Sequence, residues 1–221
     1  MEALVNLSSE TIEVLKNFST INPTMLIRPG NVIKAIGAKK TILASAKVKE
    51  TFPTEFAISD LTKFIMVVTS YSNPTLSFDD KHVVISDKLA KTRFLYGGSS
   101  SVTHPPAKDV TLPSVDASFT ISNEALTKVL RLTSGLGLPN IVLYGRDGKS
   151  FFAGTDVLQD ICDDTEYEVG ISDSDYKAVF ELENMKMLPR DYTVQVTSGM
   201  AHFKSTTDDV EYWIACSTPK K

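Results

Sequence analysis

With 221 residues and a 42% hydrophobic composition, the chain is long enough to bury a sizeable core, as one large or two small domains. Its formal net charge of −4 excludes a protein whose whole surface is basic, so any contact with nucleic acid must be local. The longest apolar run, 64–68 (FIMVV), is far too short to span a bilayer. The acidic start MEALVNLSSE does not have the outline of a signal peptide. Cys162 and Cys216 fit no zinc or CxxC spacing, which points to reduced thiols in a cytosolic protein.

In chain order, a strand is expected at 3–7 (ALVNL), then an amphipathic helix over 8–18 (SSETIEVLKNF). Ser8 or Ser9 caps this helix, and Ile12, Val14, Leu15 and Phe18 form its apolar stripe. Strands follow at 25–28, 31–36 and 41–47, the first two separated by a Pro29-Gly30 turn. The order is βαβββ, and it recurs as a strand at 55–58, a helix from Asp60 to about Tyr71, and strands at 75–78, 81–86 and 92–96.

After the Gly-, Ser- and Pro-rich stretch 97–113, the order returns with a strand at 117–121, a helix over 122–132 (SNEALTKVLRL), and the strands IVLYG, KSFFAGT and YEVGI. The fourth copy runs from 178–182 (AVFEL) through a short helix around ENMKML, ended by Pro189, to YTVQV, MAHFKS and VEYWIAC. Ser8, Ile12, Leu15 and Phe18 match Ser122, Leu126, Val129 and Leu132 at a constant offset of 114 residues, from Ser8 to Ser122. The pattern predicts an α+β chain of two similar domains, 1–96 and 117–221, joined by a linker at 97–116. Each domain is a duplicated βαβββ unit with two helices on one side of antiparallel sheets.

The inner faces of such helices pack on the sheets, so their outer faces meet water or a ligand. Lys16, Asn17, Lys63, Lys128, Arg131 and Lys186 fall on those outer faces, diluted by Glu10, Glu13 and Glu124. A solvated lysine face is ordinary on any one helix; basic groups on four helices of one side suggest an anionic partner.

Motifs for other chemistries are incomplete. GRDGKS at 145–150 ends like a phosphate-binding loop but has Leu143 where glycine is required, and Asp147-Gly148 reads as a hairpin turn. GLGLP at 135–139 follows a helix instead of opening one, so Gly135 reads as a helix cap. Asp160, Asp163, Asp164 and Glu166, within the acidic loop 156–166, are the best candidates for the Mg²⁺ site of a nuclease, the alternative to a solvated loop. No cofactor site and no metal-ligand spacing among His82, His104 and His202 is evident.

The stretches LSSETIEVLKNFSTIN, LRLTSGL at 130–136 and NMKMLPRDY at 184–192, in this order along the full length, resemble the DNA polymerase sliding clamps of large tailed bacteriophages. The resemblance implies a non-enzymatic homotrimeric ring in the host bacterial cytoplasm, with helices lining a hole that holds double-stranded DNA irrespective of sequence. It also implies a replicative DNA polymerase tethered for processivity and an ATP-driven clamp loader as partners. Few basic groups suffice for this role, because a ring retained by topology needs only a weak attraction to phosphates. The resemblance further implies that Leu95, Tyr96, Val102, His104, Pro105 and Pro106 border a groove for C-terminal partner peptides. From composition alone, a mobile Gly/Ser stretch followed by stiff prolines reads equally as a plain linker. A two-domain peptide-binding platform without DNA is the other non-enzymatic alternative.

Overall fold

The structure is a computed structural model and describes residues 4–108, 110–112, 114–172 and 175–217. The chain divides into two compact units, Met1–Ala107 and Lys108–Lys221. The first contains α1 (Ser9–Ile21), β1 (Met25–Ile27), β2 (Gly30–Ile36), β3 (Ile42–Phe52), β4 (Phe56–Ile58), α2 (Leu61–Thr69), β5 (Thr75–Phe78), β6 (His82–Ser86) and β7 (Lys91–Leu95). The second contains β8 (Ala117–Ile121), α3 (Asn123–Gly135), β9 (Asn140–Arg146), β10 (Lys149–Thr155), β11 (Thr165–Ile171) and β12 (Lys177–Glu181). It ends with β13 (Tyr192–Val196), β14 (Met200–Ser205) and β15 (Val210–Ala215). The architecture is α+β, with helices packed on antiparallel sheets, as the periodicities predict. No helix among the described residues is long and apolar enough to cross a membrane.

The two repeats of each unit exchange their leading strands. In the second unit, β12 pairs with β9 of the preceding meander, and β8 pairs with β13 of the following one. In the first unit, β4 pairs with β1, while the predicted strand at 3–7 is reduced to a bridge between Val5 and Leu76. Each leading strand thus completes the other repeat's sheet, so neither βαβββ repeat could satisfy its backbone groups alone. Alternation then sorts the side chains: Val194, Phe203 and Tyr212 are buried, while Thr193 and Lys204 are exposed.

The helices depart from expectation in two places. The expected fourth helix is a single 3-10 turn, Leu182–Asn184. Tyrosine hydroxyls pin the chain beyond it: Leu188 N–H donates to Tyr212 (3.2 Å), and Tyr192 donates to the Leu188 carbonyl (2.7 Å). Pro189 also disfavours helical geometry at Leu188. Met185, Met187 and Leu188 are all buried, which a one-sided surface helix would not permit.

The second departure is a roll of α3 relative to α1. α1 buries Thr11, Val14, Leu15, Phe18 and Ile21, whereas α3 buries Ala125, Leu126, Val129 and Thr133. At the 114-residue offset Leu132 is the counterpart of Phe18, yet Leu132 is 38% exposed and Phe18 fully buried. The buried stripe is turned by about a quarter of a revolution. α1 packs beside a helical neighbour, α2, as well as on β2 and β3. Among the described residues, α3 has the 3-10 turn beside it and rests on β9, β10 and β11.

Candidate nucleic-acid and partner-binding surfaces

The outer faces of the helices begin at their caps. Ser8 caps α1 by accepting from Thr11 N–H, and Asp60 caps α2 by accepting from Lys63 N–H (2.8 Å). Ser122 caps α3 by accepting from Ala125 N–H (3.2 Å). Two of the three helices also receive a carboxylate from elsewhere in their own unit, a feature sequence reasoning missed. Glu50 of β3 accepts from Ser8 N–H and Thr11 Oγ1, both at 2.5 Å, and Asp191 accepts from Asn123 N–H at 2.6 Å. Burial pushes the Glu50 carboxyl up, but the hydrogen bonds from Thr11 and Ser8 outweigh it and hold the group below the usual carboxylate range.

Lys16, Lys63, Lys128 and Arg131 are exposed on α1, α2 and α3, and Asn17 is half-buried on α1. Lys186 is exposed too, but on the irregular segment after the 3-10 turn. The Lys128 ammonium lies 5.5 Å from the centroid of the Tyr167 ring on β11. Among the acidic groups of the same faces, Glu10 is occupied by Lys49 (2.7 Å), whose hydrogen bond holds its carboxyl down at about 2. The acidic loop does not assemble a metal site: among the described residues no three His, Cys, Asp or Glu side chains converge. Glu166 is engaged by Tyr144 and Arg146.

The predicted groove residues separate into two groups. Leu95, 62% exposed, and half-buried Tyr96 line a recess of about 340 Å³ together with Leu26, Phe56, Ala57 and Gly97. Val102 is buried against Leu26 and Ala57, behind the recess and not in its lining. His104, Pro105 and Pro106 are not in its lining. Instead His104 Nε2 bonds the Ser99 carbonyl (2.7 Å), and the Pro105 carbonyl accepts from Arg28 (3.2 Å).

The Gly/Ser stretch expected to be mobile is built into the first unit. Gly97 N–H donates to the Ala57 carbonyl (2.8 Å), and Ser99–Ser101 form a 3-10 turn. Gly97 permits this contact because a Cβ there would lie 3.0 Å from Ser59 N. Leu26, Phe56 and Ala57 read in the sequence only as core strand residues, since their convergence on the linker depends on the β1–β4 pairing.

The family described as DNA polymerase processivity factor matches residues 8–93. The sliding clamp of Vibrio phage KVP40 is 32% identical over 220 residues, covering 96% of this chain and 98% of that one. The sliding clamp of Escherichia phage RB69 is 26% identical over 222 residues, covering 96% of each. Among solved structures, PCNA from Entamoeba histolytica shares the fold with a TM-score of 0.71 at 14% identity, over 98% of this chain and 100% of that one. A. fulgidus PCNA, solved with the C-terminal region of FEN-1 bound, gives 0.72 at 8% identity, over 99% of this chain and 98% of that one. The Helicobacter pylori beta clamp, solved with a DNA ligase peptide, gives 0.72 at 12% identity, over 97% of this chain but 65% of that longer one. Near-full-length identity to a sliding clamp, on a fold whose repeats exchange strands within two similar units, places the sequence: the chain belongs to the sliding clamp family of DNA polymerase processivity factors.

Proposed function

We propose that three copies of this chain close head to tail into a ring that encircles duplex DNA in the host bacterial cytoplasm. The ring tethers the replicative polymerase, is placed on DNA by an ATP-driven loader, and carries out no reaction of its own. The observation that carries the DNA contact is the set of exposed cations on the outer helix faces. Among the described residues no ion pair engages Lys16, Lys63 or Arg131. Such groups attract phosphates without reading bases, and a tight grip would stop sliding.

Opposite charges on two sheet edges support ring closure. β7 and β11 each end a sheet; β7 presents exposed Lys91 and Arg93, and β11 presents exposed Glu166 and Glu168, which in the single chain are met by Arg146 and by Lys149 (2.8 Å). Pairing β7 of one copy with β11 of the next would satisfy both edges, and a heterologous contact of this kind closes into a ring. The recess at Leu26, Ala57 and Leu95 is the docking place for the C-terminal peptide of a polymerase or loader subunit. The two structural relatives solved with partner peptides support that use.

Lys128→Glu with Arg131→Glu tests the DNA face. The trimer mass by light scattering should be unchanged, while retention on circular DNA and polymerase processivity should fall. The salt slope of binding should drop by up to about 0.9 per site. Wild-type processivity across a range of salt would defeat the assignment, and a monomeric wild-type mass at micromolar concentration would defeat the ring.

A further inference from the structure

The recess at Leu26, Ala57 and Leu95, whose rim also carries Glu55, Asp80 and Lys81, opens beside a second cavity. A cavity of about 460 Å³ adjoins it, sharing Glu55, Asp80 and Tyr96. Its walls are partly aromatic, with Phe78 and Tyr96 each packed on Phe56, at centroid distances of 5.2 and 5.7 Å. The Tyr96 hydroxyl donates its proton to the Asp79 carbonyl (3.0 Å), so what it still offers is its ring face and the acceptor lone pairs of its oxygen.

Three carboxylates, Glu55, Asp79 and Asp80, stand around this aromatic surface; among the described residues no basic side chain lines this cavity, although Lys81 lines the adjoining recess and His82 Nδ1 lies 3.3 Å from Asp79. Asp79 stays charged: the N–H groups of Lys81 (2.8 Å) and His82 (2.6 Å) both donate to its Oδ1 and hold its carboxyl below the usual range. Glu55 reaches Arg28 only at 3.9 Å, beyond hydrogen-bond length, and keeps acceptor capacity. Like charges around one recess repel each other, and a cation placed among them relieves that repulsion while its flat or methylene part covers the rings.

We propose that this acidic, aromatic recess takes a lysine or arginine side chain from the same partner segment whose apolar residue fills the adjoining groove. The proposal rests on the groove reading given above and adds the partner's chemistry: an apolar anchor with a basic residue a few positions away. A neutral or acidic segment would dock with its anchor alone and lose the second contact.

A displayed library of random peptides of roughly twelve residues, a length that fits groove recognition, tests this. It is selected in parallel on the wild-type protein, on Glu55→Gln with Asp80→Asn, and on Leu95→Ser, which removes an exposed apolar wall of the adjoining recess. Asp79 is left intact because it holds the β5–β6 turn. Unchanged trimer mass and unfolding midpoint establish that the variants are folded.

Wild-type selection should yield peptides that pair an apolar residue with lysine or arginine. Synthetic copies should bind the double carboxamide variant about fivefold more weakly at low salt, with the difference shrinking at high salt. Peptides that need Leu95 but show no basic preference, or bind the carboxamide variant equally, overturn the acidic recess and leave the groove standing. Peptides indifferent to Leu95→Ser, or no peptides at all, overturn the groove and this inference together.

Discussion

α1 and α3 are the same helix in outline: thirteen residues each, a serine cap, and a second carboxylate contact at the N-terminus. They differ in what surrounds them. α1 has α2 as a neighbour and buries a second flank through Val14, Phe18 and Ile21. α3 lacks a helical neighbour, and the positions equivalent to Val14 and Phe18 are Lys128 and Leu132, both exposed. A repeat in sequence therefore does not carry a repeat in environment. One copy spends its flank on packing, and the other keeps it for charge.

The largest test of this contrast is truncation at the matched pair. Phe18→Ala removes a fully buried ring and should cost about 3–5 kcal/mol. Leu132→Ala should cost under about 1 kcal/mol, because its side chain is already largely in water. Both are read from denaturant unfolding at one fixed protein concentration, since assembly adds to apparent stability. Equal losses would mean that α3 is rolled onto a surface absent from this subunit.

A second test concerns how closely α3 lies on its sheet. A Cβ on Gly154 of β10 would come 1.9 Å from Thr133 Oγ1 and 2.8 Å from Thr133 Cβ. Gly154→Ala should therefore destabilise by about 2 kcal/mol, and adding Thr133→Ala should recover part of that loss. A fully additive pair would show that the helix moves away instead of clashing.

The third test compares the two tertiary caps. Glu50 is buried and accepts two hydrogen bonds at the start of α1, so Glu50→Gln should cost about 2 kcal/mol at neutral pH. Asp191 is exposed, and Asp191→Asn should cost less than about 1 kcal/mol. The Glu50 carboxyl titrates below its ordinary 4.5 in the folded chain, so its stabilisation is complete above that pH and fades as pH falls through the folded value. Unfolding curves of wild type and Glu50→Gln should stay separated well above pH 4.5 and converge below it. A separation that widens in acid would reverse the assignment.

Much of the molecule was legible in the residues. Periodicity located three helices and nearly every strand, because an amphipathic stripe or an alternation declares which side must leave water. The repeated order of strands around α1, α2 and α3 and the exposed positions of Lys16, Lys63, Lys128 and Arg131 followed from the same patterns, whereas the expected fourth helix beneath Lys186 and the full strand at 3–7 did not form. The resemblance to phage sliding clamps rested on short stretches spread along the chain. What only the tertiary structure decided were matters of partnership. These include the exchange of leading strands between repeats, the collapse of the fourth helix under two tyrosine hydroxyls, and the folding of the Gly/Ser stretch against β4. They also include the roll that separates Leu132 from Phe18. A local pattern records which face of an element is apolar, whereas these features depend on groups tens of residues away competing for the same hydrogen bonds and the same surface.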